Sequence, residues 1–108
     1  MSYQDIHTEE LATLLDRDNL VIFDSRDDFS FSRGHLNGAL RLNDEAIKRL
    51  IIEKKRQSPV LIYCYHGNSS RDYCQLLTSM GFAEVYNLQG GWQAWEYYCQ
   101  SRQVANGW

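Results

Sequence analysis

Cys64 is the residue in this chain best placed to do covalent chemistry. It closes the apolar run "VLIYC" (60–64) and is followed by "YHGNSS" (65–70), after which helical spacing resumes in "RDYCQLL". A cysteine at such a joint differs from one inside a strand or helix, because ligands of open α/β sheets bind beyond the carboxyl ends of the strands. Gly67 permits a positive φ, and Asn68, Ser69 and Ser70 bring caps and side-chain donors. A tight turn of this composition aims successive backbone N–H groups inward, making an anion-binding nest backed by a helix N-terminus. The same field favours the thiolate over the thiol. The pattern predicts a nucleophilic cysteine whose substrate or product is anionic. The competing expectation is a cysteine that only packs, and it is the one adopted for Cys74 and Cys99, which fall inside helical patterns.

Positioning that cysteine requires strands and helices in alternation. "LVIFD" (20–24) and "VLIYC" (60–64) read as buried strands, with "ALRL" (39–42), "VYNL" (85–88) and "YQDI" near the start as shorter ones. Thr8 is expected to cap a helix over "EELATLLD", and Asn43 one over "DEAIKRLIIEK" with Ala46, Ile47, Leu50 and Ile51 on one face. After the cysteine loop, Tyr73, Leu76, Leu77 and Met80 keep i, i+3, i+4, i+7 spacing, and Gly81 suits the position past the helix end. "GWQAWEYYCQ" makes a last helix after Gly90 and Gly91. This alternation predicts an α/β domain with a mostly parallel sheet.

Composition narrows the function classes. The chain has 108 residues, 44% of them hydrophobic, enough for one domain with its own core. Residues 1–108 are expected to be that domain, with a core over about 5–100 and a tail at 102–108 that carries no structural signal. Its three cysteines are an odd number without a Cys-x-x-Cys pair, which argues against a disulfide framework and a zinc ribbon. The opening "MSYQDIHTEE" has no basic-then-apolar leader pattern, and "LVIF" and "VLIY" are too short to span a bilayer. A cytoplasmic, reducing setting is expected, in which Cys64 is a free thiol. A net charge of −3 is not that of a nucleic-acid binder. The basic stretch "KRLIIEKKR" (48–56) reads as a helix end, where cations oppose the dipole.

Three segments together resemble a known family. "CYHGNS" (64–69) is similar to the six-residue active-site loop of the rhodaneses, which are thiosulfate sulfurtransferases. "DSRDDFSFSRGHLNGALRL" (24–42) resembles the family's amino-side signature, and "NLQGGWQAW" (87–95) its carboxy-side signature. The resemblance implies a single rhodanese-like domain, a five-stranded, mainly parallel sheet flanked by helices, from a bacterial source. It also implies a two-step sulfur transfer: Cys64 takes the outer sulfur of thiosulfate as a persulfide, sulfite leaves, and a thiophilic acceptor removes the sulfur. Cyanide serves as acceptor in an assay and a thioredoxin-like dithiol in a cell. No metal or organic cofactor is implied, and monomer and weak dimer both remain open.

The resemblance assigns Cys64 as nucleophile and Tyr65, His66, Gly67, Asn68, Ser69 and Ser70 as the loop that binds substrate and persulfide. Arg71 is expected to project at the pocket mouth and attract the sulfonate end of thiosulfate. Asp24 and Arg26 are expected to be structural, with Arg26 needing a carboxylate if it folds inward. His35 is expected to order a turn, and Trp92 and Trp95 to anchor the core. A phosphatase is a rival because the fold also hosts dual-specificity phosphatases with a Cys-x5-Arg loop. Here Ser70 stands six after the cysteine and the arginine arrives one position late. A non-catalytic rhodanese-like interaction module is the rival from another class, though such modules often lack the cysteine. Larger rhodaneses place cations directly after the cysteine, whereas this chain has Tyr65 and His66, so weak thiosulfate binding is expected.

Overall fold

The computed structural model describes residues 2–53 and 56–102. Strands and helices alternate: β1 (Gln4–Ile6), α1 (Thr8–Leu14), β2 (Val21–Asp24), α2 (Asp28–Arg33), β3 (Leu40–Arg41), α3 (Asp44–Ile52), β4 (Val60–Tyr63), α4 (Ser70–Ser79), β5 (Val85–Leu88) and α5 (Gly91–Arg102). The five strands form one sheet in the order β1-β5-β4-β2-β3, and each pairing is parallel. The predicted α/β class and all five strand positions are therefore observed.

Parallel strands joined by crossover helices bury both faces, so the central strand is apolar throughout. On β4, Leu61 and Tyr63 enter one core with Leu11, Leu88, Trp92 and Trp95. Val60 and Ile62 enter the other core with Ile47, Leu50, Cys74 and Leu77. Trp92 and Trp95 are the expected core anchors, and Cys74 and Cys99 are buried as expected of packing cysteines. Every strand runs the same way, so the carboxyl ends of β2, β4 and β5 share one edge, and that edge holds Cys64.

Three local expectations change. The cap of α1 is His7, whose N–H donates to Glu10 Oε1 at 3.0 Å, while the Thr8 hydroxyl is taken by Glu9 at 2.6 Å. Helix α2 goes beyond the expected elements: six residues give no apolar period, and its start is fixed instead by the Asp27 carboxylate accepting from Ser30 N at 2.7 Å. On α4, Tyr73 and Leu76 are exposed, and the buried stripe is Ser70, Cys74, Leu77 and Thr78. That stripe has equally good helical spacing but starts on a serine, so a reading of apolar residues alone rotates the helix. Asn43 caps α3 as expected, its Oδ1 accepting from Ala46 N at 2.8 Å. Gly81 follows α4 at φ +95°. Part of the basic stretch at 48–56, and the tail beyond Arg102, lie outside the described residues.

Candidate active site

The segment from Cys64 to Ser70 wraps around the cysteine sulfur. Gly67 N–H donates to Cys64 Sγ at 3.0 Å, and Ser70 Oγ lies 3.3 Å from the same sulfur. Gly67 takes φ +91°, and a Cβ there would stand 2.7 Å from Gly90 N and 2.9 Å from Leu88 O. Only glycine lets the chain turn tightly enough to return an N–H to the sulfur.

The loop's carbonyls are held from outside. Trp92 N–H donates to Cys64 O at 2.8 Å and Gln93 N–H to Tyr65 O at 3.1 Å, so the free N–H groups of the α5 first turn cap the loop. Gly67 O accepts from Asn87 Nδ2 at 3.0 Å and from Arg71 Nε at 3.2 Å. In a trans peptide the N–H points opposite its C=O. Fixing these three carbonyls therefore turns the N–H groups of Tyr65, His66 and Asn68 to the opposite side of their peptides. The pair Gly90-Gly91 has its explanation here. Gly91 sits at φ +62°, and a Cβ on it would collide with the carbonyl oxygens of Cys64 and Tyr65.

Electrostatics follow the geometry. Burial alone would raise the Cys64 thiol. Hydrogen bonds from the Ser69 and Ser70 side chains and from the Ser70 and Gly67 backbone outweigh it and bring the thiol down to about 7. Cys74 is the contrast: burial without such donors pushes it up to about 12. Donors on the sulfur thus favour the thiolate at Cys64, and burial favours the thiol at Cys74.

A shallow cavity opens over Cys64, lined by Ser25, Arg26, Asp27 and Ser30 of the β2–α2 segment and by Tyr65 and Ser69 of the loop. Ser25 fixes that segment beside the loop, its N–H and Oγ both donating to Tyr63 O, at 2.9 and 3.0 Å. Behind the cavity wall Arg26 makes a two-pronged pair with buried Asp24 at 2.7–3.1 Å, donates to Gly34 O at 2.6 Å, and stacks 4.5 Å over the Trp92 ring. Tyr63 OH donates to Asp24 Oδ2 at 2.7 Å and accepts from Leu36 N at 3.1 Å. Another depression, between β3 and α3, is lined by no cysteine, serine or histidine.

A family model for the rhodanese-like domain matches residues 7–98. The chain belongs to the rhodanese-like family. Relatives include the thiosulfate sulfurtransferase GlpE of Pseudoalteromonas translucida (strain TAC 125), 38% identical over 96 residues that cover 89% of this chain and 91% of that protein. GlpE of Shewanella oneidensis is 36% identical over 94 residues, covering 87% and 93%. Among solved structures, a rhodanese-like domain protein from Staphylococcus aureus superposes with a TM-score of 0.71 at 26% identity, covering 85% of this chain and 90% of that one.

Within this rhodanese-like site the predicted residues fall into two groups. Cys64, Tyr65 and Ser69 line the cavity, and Gly67 and Ser70 contact the sulfur. His66 and Asn68 are turned to solvent. His66 Nδ1 is 3.0 Å from Gln93 Oε1, with its ring edge-on to Tyr65. Arg71 does not reach out over the mouth as expected. It binds Asp5 Oδ2 at 3.1 Å and the Tyr3 hydroxyl at 3.3 Å, besides the Gly67 carbonyl. His35 stacks on Phe31 and pairs its Nδ1 with Phe31 O at 2.8 Å, ordering the turn as expected. Asn87 and the Ser25–Asp27 wall escaped the sequence reading. For Asn87 a signal existed: an amide in the middle of the apolar run "VYNL" must find partners if that strand is central.

Proposed function

We propose that the chain is a rhodanese-type sulfurtransferase that uses thiosulfate as donor and Cys64 as nucleophile. The enzyme class rests on family membership and on relatives of 35–38% identity named thiosulfate sulfurtransferase. The single observation that supports Cys64 best is its sulfur in the cavity lining with the Gly67 N–H upon it, its thiol brought down to about 7. In the first step the Cys64 thiolate forms a bond to the outer sulfur of thiosulfate while the S–S bond of thiosulfate breaks. Sulfite leaves with the electron pair, and the anionic Cys64 persulfide remains. Inward N–H groups stabilise that terminal charge. In the second step cyanide or a dithiol of the thioredoxin kind takes the outer sulfur and restores the thiolate.

Two features support a transfer of a single sulfur atom over phosphate hydrolysis. Ser70 stands where a Cys-x5-Arg loop has its arginine, and Arg71, one position later, is engaged by Asp5 and Tyr3. The cavity wall carries Asp27 as well as Arg26, and Arg26 is already neutralised by Asp24. Thiosulfate, itself a dianion, is therefore expected to bind weakly. Among the described residues no helix is long and apolar enough to cross a membrane. Initial rates of thiocyanate formation, with thiosulfate and cyanide both varied, are expected to give the parallel reciprocal plots of a ping-pong reaction. Intersecting plots would argue against a covalent enzyme intermediate. Turnover of an aryl phosphate in place of thiosulfate would favour the phosphatase.

A further inference from the structure

Asn87 lies on β5 with no exposed surface, yet it carries both a donor and an acceptor. Its orientation is fixed. Nδ2 donates to Asp5 Oδ1 at 2.8 Å and to the Gly67 carbonyl at 3.0 Å, and neither partner can donate in return. Oδ1 therefore faces Ser70, and the contact between Ser70 Oγ and Asn87 Oδ1 holds only if the serine proton lies on the amide oxygen. Ser70 is itself fully buried and 3.3 Å from Cys64 Sγ. One hydroxyl proton thus has two acceptors within reach, an amide oxygen and a sulfur.

We infer that Asn87 is a positioning residue for Cys64 that acts through Ser70 by competing with the sulfur for the single proton of the serine hydroxyl. While Cys64 is a thiol, its S–H donates to a lone pair of Ser70 Oγ and the serine proton stays on Asn87. When Cys64 ionises, the serine proton swings to the sulfur and Asn87 Oδ1 loses its donor. The thiolate gains a charge-assisted hydrogen bond, reduced by the one given up. Asn87 so keeps Cys64 from becoming too stable a thiolate, which matters because nucleophilicity falls as thiol pKa falls. The other charged or titratable groups around the pair are Asp5 on β1, Arg71 and Cys74 on α4, Arg26 and Asp27 in the cavity wall, and His66 in the loop. None of them stands between Ser70 Oγ and either acceptor.

The inference rests on the reading of Cys64 as nucleophile, but its test uses no sulfur donor, so the two can fail separately. The rate of iodoacetamide alkylation at Cys64 is followed against pH by peptide mass spectrometry in the wild type, Asn87→Leu, Ser70→Ala and the double variant. Asn87→Leu is expected to move the midpoint down by about half a pH unit to one unit, the worth of one neutral hydrogen bond. In the Ser70→Ala background the same substitution is expected to show no downward shift and to report only the lost Nδ2 bonds, an effect the cycle subtracts. A loosened loop alone would move the midpoint up. A rise or no change in Asn87→Leu, or an equal shift in both backgrounds, overturns the inference. Should Asn87→Leu fail to fold, Ser70→Ala decides alone. A shared proton gives a rise within about half a unit, whereas a larger rise, as from a full bond to a charged group, overturns it.

Discussion

Three buried thiols share one chain, and Cys64 and Cys74 differ in what surrounds the sulfur. Cys64 receives the Gly67 N–H and lies beside Ser70, whereas Cys74 has only the Tyr86 carbonyl at 3.5 Å. The sign of the pH effect follows. A group whose folded pKa is depressed is favoured in its charged form, so thiolate is present above about 7 and lost as pH falls through that value. Alkylation of Cys64 in the wild type is expected to rise through a midpoint near 7, while Cys74 stays unmodified in the folded protein. A midpoint near the ordinary thiol value of about 8.5 would contradict the donor geometry. At this scale the sequence was most legible where a residue type stands at a joint. Cys64 and Gly67 could be read that way. Arg71 could not, because its partners Tyr3 and Asp5 are 66 or more positions away in the chain.

The elements act on the sulfur through their ends. The α5 first turn gives its N–H groups to the loop carbonyls, and β5 contributes Asn87 from beneath. Gly91→Ala tests this arrangement, because a methyl group there meets two loop carbonyls and the residue sits at positive φ. Backbone strain of roughly 1–2 kcal/mol is expected in thermal or denaturant unfolding. The loop must also shift, and turnover should fall on the order of a hundredfold, as misplaced reacting groups do. Normal turnover with reduced stability would show that α5 does not set the loop. Strands such as "VLIYC" and "VYNL" were legible because two-sided burial demands continuous apolar runs. Helix α2 was not, since its six residues are fixed by one Asp27 cap, and α4 was rotated because its buried stripe includes Ser70 and Cys74.

At the scale of the molecule, one buried ion pair ties the site wall to both the sheet and the last helix. Arg26 joins Asp24 at the end of β2, the Gly34 carbonyl after α2 and the Trp92 ring of α5, while Tyr63 of β4 binds the same carboxylate. Arg26→Met leaves Asp24 charged and without its cation in a fully buried place. Unfolding by urea should show a loss of about 3–5 kcal/mol, with a smaller loss in Asp24→Asn/Arg26→Met. A loss below about 1 kcal/mol would mean the pair behaves as if solvated. The need of Arg26 for a carboxylate was readable from its type. That Tyr63, Gly34 and Trp92 converge on the same pair depends on which strands are neighbours, and a single sequence does not state that order.

Under the proposed function Cys64 carries sulfur as a covalent persulfide. Intact-protein mass spectrometry after incubation with thiosulfate tests it most directly, with Cys64→Ser beside the wild type. A gain of one sulfur atom on the wild type alone, removed by cyanide, is expected. An unmodified wild type at saturating thiosulfate, or an equal gain on Cys64→Ser, would contradict it.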